Sequence, residues 1–92
     1  MPVYGFLDTN NRTQVYTIDP NAAAALSANA RYSSEGIAFT ALPPNVGSTN
    51  FRRFFNAETG AYAYSAANAD VQFFTSRGYT FDGYAWSVDR PG

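Results

Sequence analysis

"YTFDGYAWSV", residues 79–88, restates a phrase that the chain has already used as "YSSEGIAFTA", residues 32–41. Tyr32 matches Tyr79, Glu35 matches Asp82, Gly36 matches Gly83, Ala38 matches Ala85 and Phe39 matches Trp86. An acid followed by glycine is kept both times. Apolar residues alternate in each phrase: Ile37, Phe39 and Ala41 in the first, Tyr84, Trp86 and Val88 in the second. Each phrase therefore reads as a half-buried strand with those residues turned inward.

Outward from these strands the correspondence continues. Phe6/Phe54, Leu7/Phe55, Asp8/Asn56, Tyr16/Tyr64, Thr17/Ser65 and Leu26/Phe74 stand at an offset of 48, which falls to 47 after Arg31 through one deletion near Gly78. "VYGFLDTNNRTQVYT" (3–17) and "FRRFFNAETGAYAYS" (51–65) each place two β-rich runs around a polar turn, the signature of a hairpin. Gly60 can supply the positive φ such a turn needs. Arg12 fills that slot in the first copy, where it must either strain or pass the left-handed conformation to Asn10 or Asn11.

A helix follows each hairpin. Asp19-Pro20 is an N-cap with proline at the first helical position, and Gly78 sits as the C-terminal cap of "NADVQFFTSRG" (68–78). Cap and supporting acid are divided between the copies: Asp19 has no acid at Ala22, while Asp70 has no cap at Ala67. The unit is β-β-α-β, written over residues 3–42 and 51–88 and joined by the linker "PPNVGSTN", 43–50. The expectation is a single α+β domain over 1–92, two such repeats packed with approximate internal two-fold symmetry, since one unit alone cannot cover its sheet.

Composition narrows the chemistry. Of 92 residues, 46% are hydrophobic and 17% aromatic, enough for one core. Cysteine and histidine are absent, which removes thiolate sites and the usual general base near neutral pH. The basic residues are all arginine and scattered apart from Arg52-Arg53, with a net charge of −1, so no nucleic-acid partner is expected. The longest apolar run, Ala22–Leu26, is too short for a membrane span, and "MPVYGFLD" lacks the regions of a signal peptide.

Glu35 and Asp82 are the sharpest candidates for chemistry, as paired carboxylates for acid–base work or a hard cation. Neither lies in a calcium-loop pattern, and the plainer role is architectural. In that role Gly36 and Gly83 take equivalent special backbone positions, and the acids before them accept backbone N–H bonds. Trp86 and Phe39 read as core. Tyr62, beside a turn where the first copy has Gln14, can be an exposed ring for a sugar face. Arg52 and Arg53 must point to opposite faces, one toward a carboxylate or anion, with solvated edge charges as the plainer reading. Asn11-Arg12-Thr13 matches a glycosylation sequon. No hydroxyl has a histidine to activate it and no glycine-rich loop fits a phosphate, so no enzyme, cofactor or metal is expected.

The two copies together resemble a family of short tyrosine-rich repeats of the form "VYRFYNPxTGxHFYTxSxxE…GYxYEGIAFxA", found in secreted bacterial and fungal proteins beside peptidases, cell-wall lysozymes and calcium-binding adhesins. "FRRFFNAETGAYAYS" and "GYTFDGYAW" are close to it, "VYGFLDTNNRTQVYT" and "YSSEGIAF" less so. The family histidine is Gln14 in one copy and Tyr62 in the other. The resemblance implies an extracellular, non-catalytic accessory module for a carbohydrate or cell-wall glycan. Gln14, Tyr62, Asn56, Glu35 and Asp82 are the candidate ligand contacts. The competing expectation is a protein–protein or self-association module.

Overall fold

The computed structural model describes residues 1–89; Arg90 and the rest of the expected 1–92 domain after it lie outside the described residues. Strands β1 (Pro2–Asp8) and β2 (Thr13–Thr17) form an antiparallel hairpin. Helix α1 (Pro20–Ser27) then crosses over, and β3 (Tyr32–Thr40) pairs with the free side of β1. The second half runs β4 (Thr49–Asn56), β5 (Ala61–Ser65), α2 (Asn68–Thr75) and β6 (Thr80–Val88). The result is two three-stranded antiparallel sheets, ordered β2-β1-β3 and β5-β4-β6.

Local chemistry explains the helix ends. Asp19 accepts the Asn21 N–H at 2.9 Å with Pro20 behind it. In α2 the cap residue Ala67 has no side-chain acceptor to offer. Ser65 takes over: its hydroxyl accepts the Ala67 N–H at 3.0 Å and donates to Asp70 at 2.5 Å. Gly78, at φ +87°, ends α2 in a Schellman turn, with Gly78 N donating to Thr75 O and Tyr79 N to Phe74 O. The Phe74 and Tyr79 rings meet at 5.3 Å, the apolar contact that accompanies this turn.

The α+β expectation is corrected by these elements. Strands hold 49% of the described chain and helix only 18%, so the fold is β-rich. The helices are two turns long, α1 buries only Ala23 and α2 buries nothing, so neither forms a layer. Where Tyr16 and Tyr64 meet, the contact between the halves is also not reciprocal, a departure from the expected approximate two-fold. The Tyr64 hydroxyl accepts from Tyr16 N at 3.0 Å and donates to Tyr16 O at 3.1 Å, and among the described residues the Tyr16 hydroxyl returns no such bond to Tyr64. Leu42 pairs with Ser87 in an isolated bridge that ties the first half's end to β6.

The closing strands depart from simple alternation. Between Phe6↔Ser34 and Tyr4↔Ile37, β3 carries an extra residue around Glu35-Gly36, and between Tyr4↔Ile37 and Val3↔Phe39 it carries another at Ala38. β6 repeats both irregularities, around Asp82-Gly83 and at Ala85. Gly36 and Gly83 sit at φ +78° and +90°, the left-handed residue of a glycine bulge. Each extra residue reverses which face the next side chain meets. Ile37 and Tyr84 are therefore turned outward, at 61% and 43% exposure, instead of lying on one inward face with Phe39 and Trp86.

Trp86 is the centre of the core at 3% exposure. Phe51 and Tyr64 stack on it at 5.3 Å each, while Phe39 and Tyr16 meet it edge-on at 5.3 and 5.8 Å. Val3, Ala41 and Ala85 complete this cluster, which joins the two sheets. Phe39 keeps its core contact but remains partly exposed. A second cluster of Phe6, Val15 and Ala23 packs with Leu26 and Tyr32 beneath α1.

Candidate functional site

Where the halves meet beside this core, a cleft of about 260 Å³ opens. Helix α1 contributes Ala22, Ala25 and Leu26 to its wall, β2 contributes Val15 to Thr17, β3 contributes Tyr32, and the second sheet contributes Arg53, Tyr62 and Tyr64. The β4–β5 ladder dictates the last group. Arg53 pairs with Tyr64 and Phe55 with Tyr62, so these side chains share one face, while Arg52, Phe54, Ala63 and Ser65 share the other.

Arg53 is held from behind. Its Nε donates to Asp82 Oδ2 at 2.9 Å and its Nη2 donates to the Asp82 carbonyl at 3.1 Å. Both partners are part-exposed, so the pair adds little stability and acts mainly to fix the guanidinium. That guanidinium lies 6.0 Å from the centre of the Tyr62 ring. Tyr62 leans on Phe55 at 4.9 Å, and among the described residues its hydroxyl has no hydrogen-bond partner. Burial raises the Tyr62 pKa, so the phenol stays neutral in ordinary buffers. Tyr64 is pushed up to about 12 by burial, only partly offset by its bond to Tyr16.

The candidates read from sequence fall in different places. Tyr62 lines the cleft, and Asp82 stands immediately behind it through Arg53. Asn56 is buried, with Oδ1 accepting the N–H groups of Glu58 and Thr59 at 3.0 and 3.3 Å and Nδ2 donating to Arg77 O at 3.4 Å. It shapes the β4–β5 turn. Gln14 sits half-buried opposite Leu7 on β2, away from the cleft lining. Glu35 is exposed on the β3 bulge, and no hydrogen bond joins it to Asp82 among the described residues. Nor, among the described residues, do the two acids accept backbone N–H bonds as expected: Asp82 receives the Arg53 guanidinium instead.

Arg53 and the rings of Tyr32 and Tyr64 were not among the expected contacts. Arg52 and Arg53 do point to opposite faces, but β4 is the central strand of its sheet, so they are not edge charges. Arg52 donates to Asn68 Oδ1 at 2.8 Å on the α2 side. The usable signal was an arginine inside an otherwise apolar-aromatic alternation, "FRRFF", on the same strand face as two tyrosines of the next strand.

A second polar cluster ties the hairpin tips together. Asp8, fully buried, receives Arg31 Nε on Oδ1 at 2.9 Å and Nη2 on Oδ2 at 2.8 Å. Asn10 and Asn11 backbone N–H groups also donate to it, and Asn11 Nδ2 bonds both Asp8 at 3.1 Å and the Thr59 carbonyl at 2.9 Å. The Arg31 hydrogen bond, opposed by burial, lowers the Asp8 pKa to about 2. Every Asp8 oxygen is thus occupied by the protein itself, and the sequon nitrogen of Asn11 is engaged in both bonds.

A family model described as "Domain of unknown function (DUF5648)" matches residues 1–90. No curated protein and no solved structure matches the chain.

Proposed function

Because the chain belongs to that family of domains of unknown function, whose description names no activity, we propose from the cleft itself that it is a non-catalytic glycan-binding module. The observation that carries this reading is the set of tyrosines, Tyr16, Tyr32, Tyr62 and Tyr64, brought together with Arg53 around one small open cleft. Sugars offer apolar C–H faces to rings and hydroxyls to a few fixed polar groups, and ligand sites in general combine those two kinds of lining. Tyr62 supplies a part-exposed ring and an unused hydroxyl, and Arg53 supplies donors already held in place. The resemblance to tyrosine-rich repeats of secreted proteins adds the setting: an extracellular accessory module that holds a larger protein to a cell-wall polysaccharide.

Glycan-array screening followed by calorimetric titration tests this reading. Binding at micromolar to millimolar dissociation constants that is lost in Tyr62→Ala supports it. An array and titration without binding at millimolar glycan overturn it.

One observation favours self-association as the second reading. Phe81 and Tyr84 on β6 and Phe73 on α2 are exposed at 52%, 43% and 47%; Phe81 meets Tyr84 directly, and Phe73 joins them through Phe74 and the fully buried Phe54. Exposed aromatic groups of this kind mark contact surfaces. Sedimentation velocity across a hundredfold concentration range would show association if this patch pairs two copies, and a strict monomer would remove the reading.

A further inference from the structure

We propose that the cleft selects a sugar bearing a carboxylate, with Arg53 as the residue that reads it; this deepens the glycan reading and rests on it. Among the described residues Arg53 is the only charged side chain in the cleft lining. A guanidinium has two edges that can each hold a pair of acceptors. Asp82 occupies one edge, with its carboxylate on Nε and its carbonyl on Nη2. The end-on edge, Nη1 with the second hydrogen of Nη2, makes no bond to any described residue. It has the spacing a carboxylate fits with two parallel hydrogen bonds.

The surroundings leave room for an anion there. Arg31, 5.6 Å from the ring centre of Tyr32, another cleft residue, is paired with Asp8, so that pair adds little net charge beside the cleft. The nearby acids are already committed: Asp8 is buried with its oxygens on Arg31, Asn10 and Asn11, and Asp82 faces the opposite edge of Arg53. A pyranose ring laid against Tyr62 can therefore direct its carboxylate to the open Arg53 edge, with no carboxylate among the described residues of the cleft lining to repel it. Asp82 then has a double role. It fixes Arg53 and also dampens its charge.

The experiment compares a galacturonic-acid oligosaccharide with its fully methyl-esterified form, which has the same backbone without the charge. Calorimetry is run on the whole chain and on two variants, Arg53→Gln and Asp82→Asn, each checked for folding by circular dichroism. The acid form should bind about tenfold more tightly than the ester, the effect of one charge-assisted pair. Arg53→Gln should remove that preference while leaving ester binding. Asp82→Asn should raise affinity for the acid form, since Arg53 loses its competing carboxylate, and should increase the loss of affinity with added salt. Equal affinity for acid and ester overturns the carboxylate inference and leaves the glycan reading standing. Binding of neither oligosaccharide, with an empty glycan array, overturns both.

Discussion

Arg31 clasps Asp8 with two nitrogens at 2.9 and 2.8 Å although 23 positions separate them, and the same guanidinium reaches the Thr59 carbonyl at 3.4 Å in the other half. The matching slot to Asp8 is Asn56, which builds its own turn in the same way, one side-chain oxygen accepting two turn N–H groups, but without a cation. Asp8→Ala should cost on the order of 3 kcal/mol, since it strands Arg31 and two turn N–H groups. Asp8→Asn should cost clearly less, because an amide oxygen still accepts the turn N–H groups as Asn56 does. Urea unfolding at pH 7 checks the order.

The same pair sets an acid limb. Its folded pKa is depressed to about 2 from 3.8, so its stabilisation is complete above about pH 4 and is lost as pH falls from there through about 2. Stability measured from pH 5 to pH 2 should fall through that window in the native chain. In Asp8→Asn that fall should be shallower.

Gly36 and Gly83 carry positive φ, and an added Cβ would meet nothing within 4 Å at either. Alanine at each should therefore cost only the backbone term, about 1 kcal/mol. At Gly60 the same substitution sets a Cβ 2.9 Å from Arg31 Nη2 as well as at φ +75°, so it should be worse than either. Thermal melts of the three single variants rank them.

Arg12 holds the first-half slot that Gly60 holds in the second, and it takes the left-handed conformation itself at φ +55°. The strain stays where it arose and is not passed to Asn10 or Asn11. Arg12 is exposed. Arg12→Gly should raise stability by up to about 1 kcal/mol, which a shift in the urea midpoint would register.

Tyr64 and Tyr62 separate structure from binding. Tyr64→Phe leaves both Tyr16 backbone groups without the hydroxyl that served them, a loss of about 1–2 kcal/mol. Tyr62→Phe removes a hydroxyl with no partner among the described residues and should leave the melting temperature unchanged.

These features differ in how far they could be read from sequence. Asp19-Pro20, Gly60 and Gly78 act within a few residues, so their chemistry was visible locally and the turns and helix ends formed where expected. The bulges at Ala38 and Ala85 were not visible, because one extra residue changes face without changing composition. That is why Ile37 and Tyr84 were assigned inward. The fold class failed for a related reason: a two-turn helix with a good cap reads as strongly as a layer-forming one, and only the small area buried by α1 and α2 distinguishes them. Arg53 joined the site through Asp82, 29 positions away, a pairing set by strand register alone.

The most direct test of the account maps ligand contacts residue by residue. Nitrogen-15 correlation spectra of the chain, titrated with the oligosaccharide that binds best on the array, should shift the backbone signals of Tyr32, Arg53, Tyr62 and Tyr64 and the Arg53 side-chain Nε signal, saturating together. The signals of Phe73, Phe81 and Tyr84 should stay in place. Shifts confined to those three, or centred on Glu35 with the cleft unmoved, would contradict it.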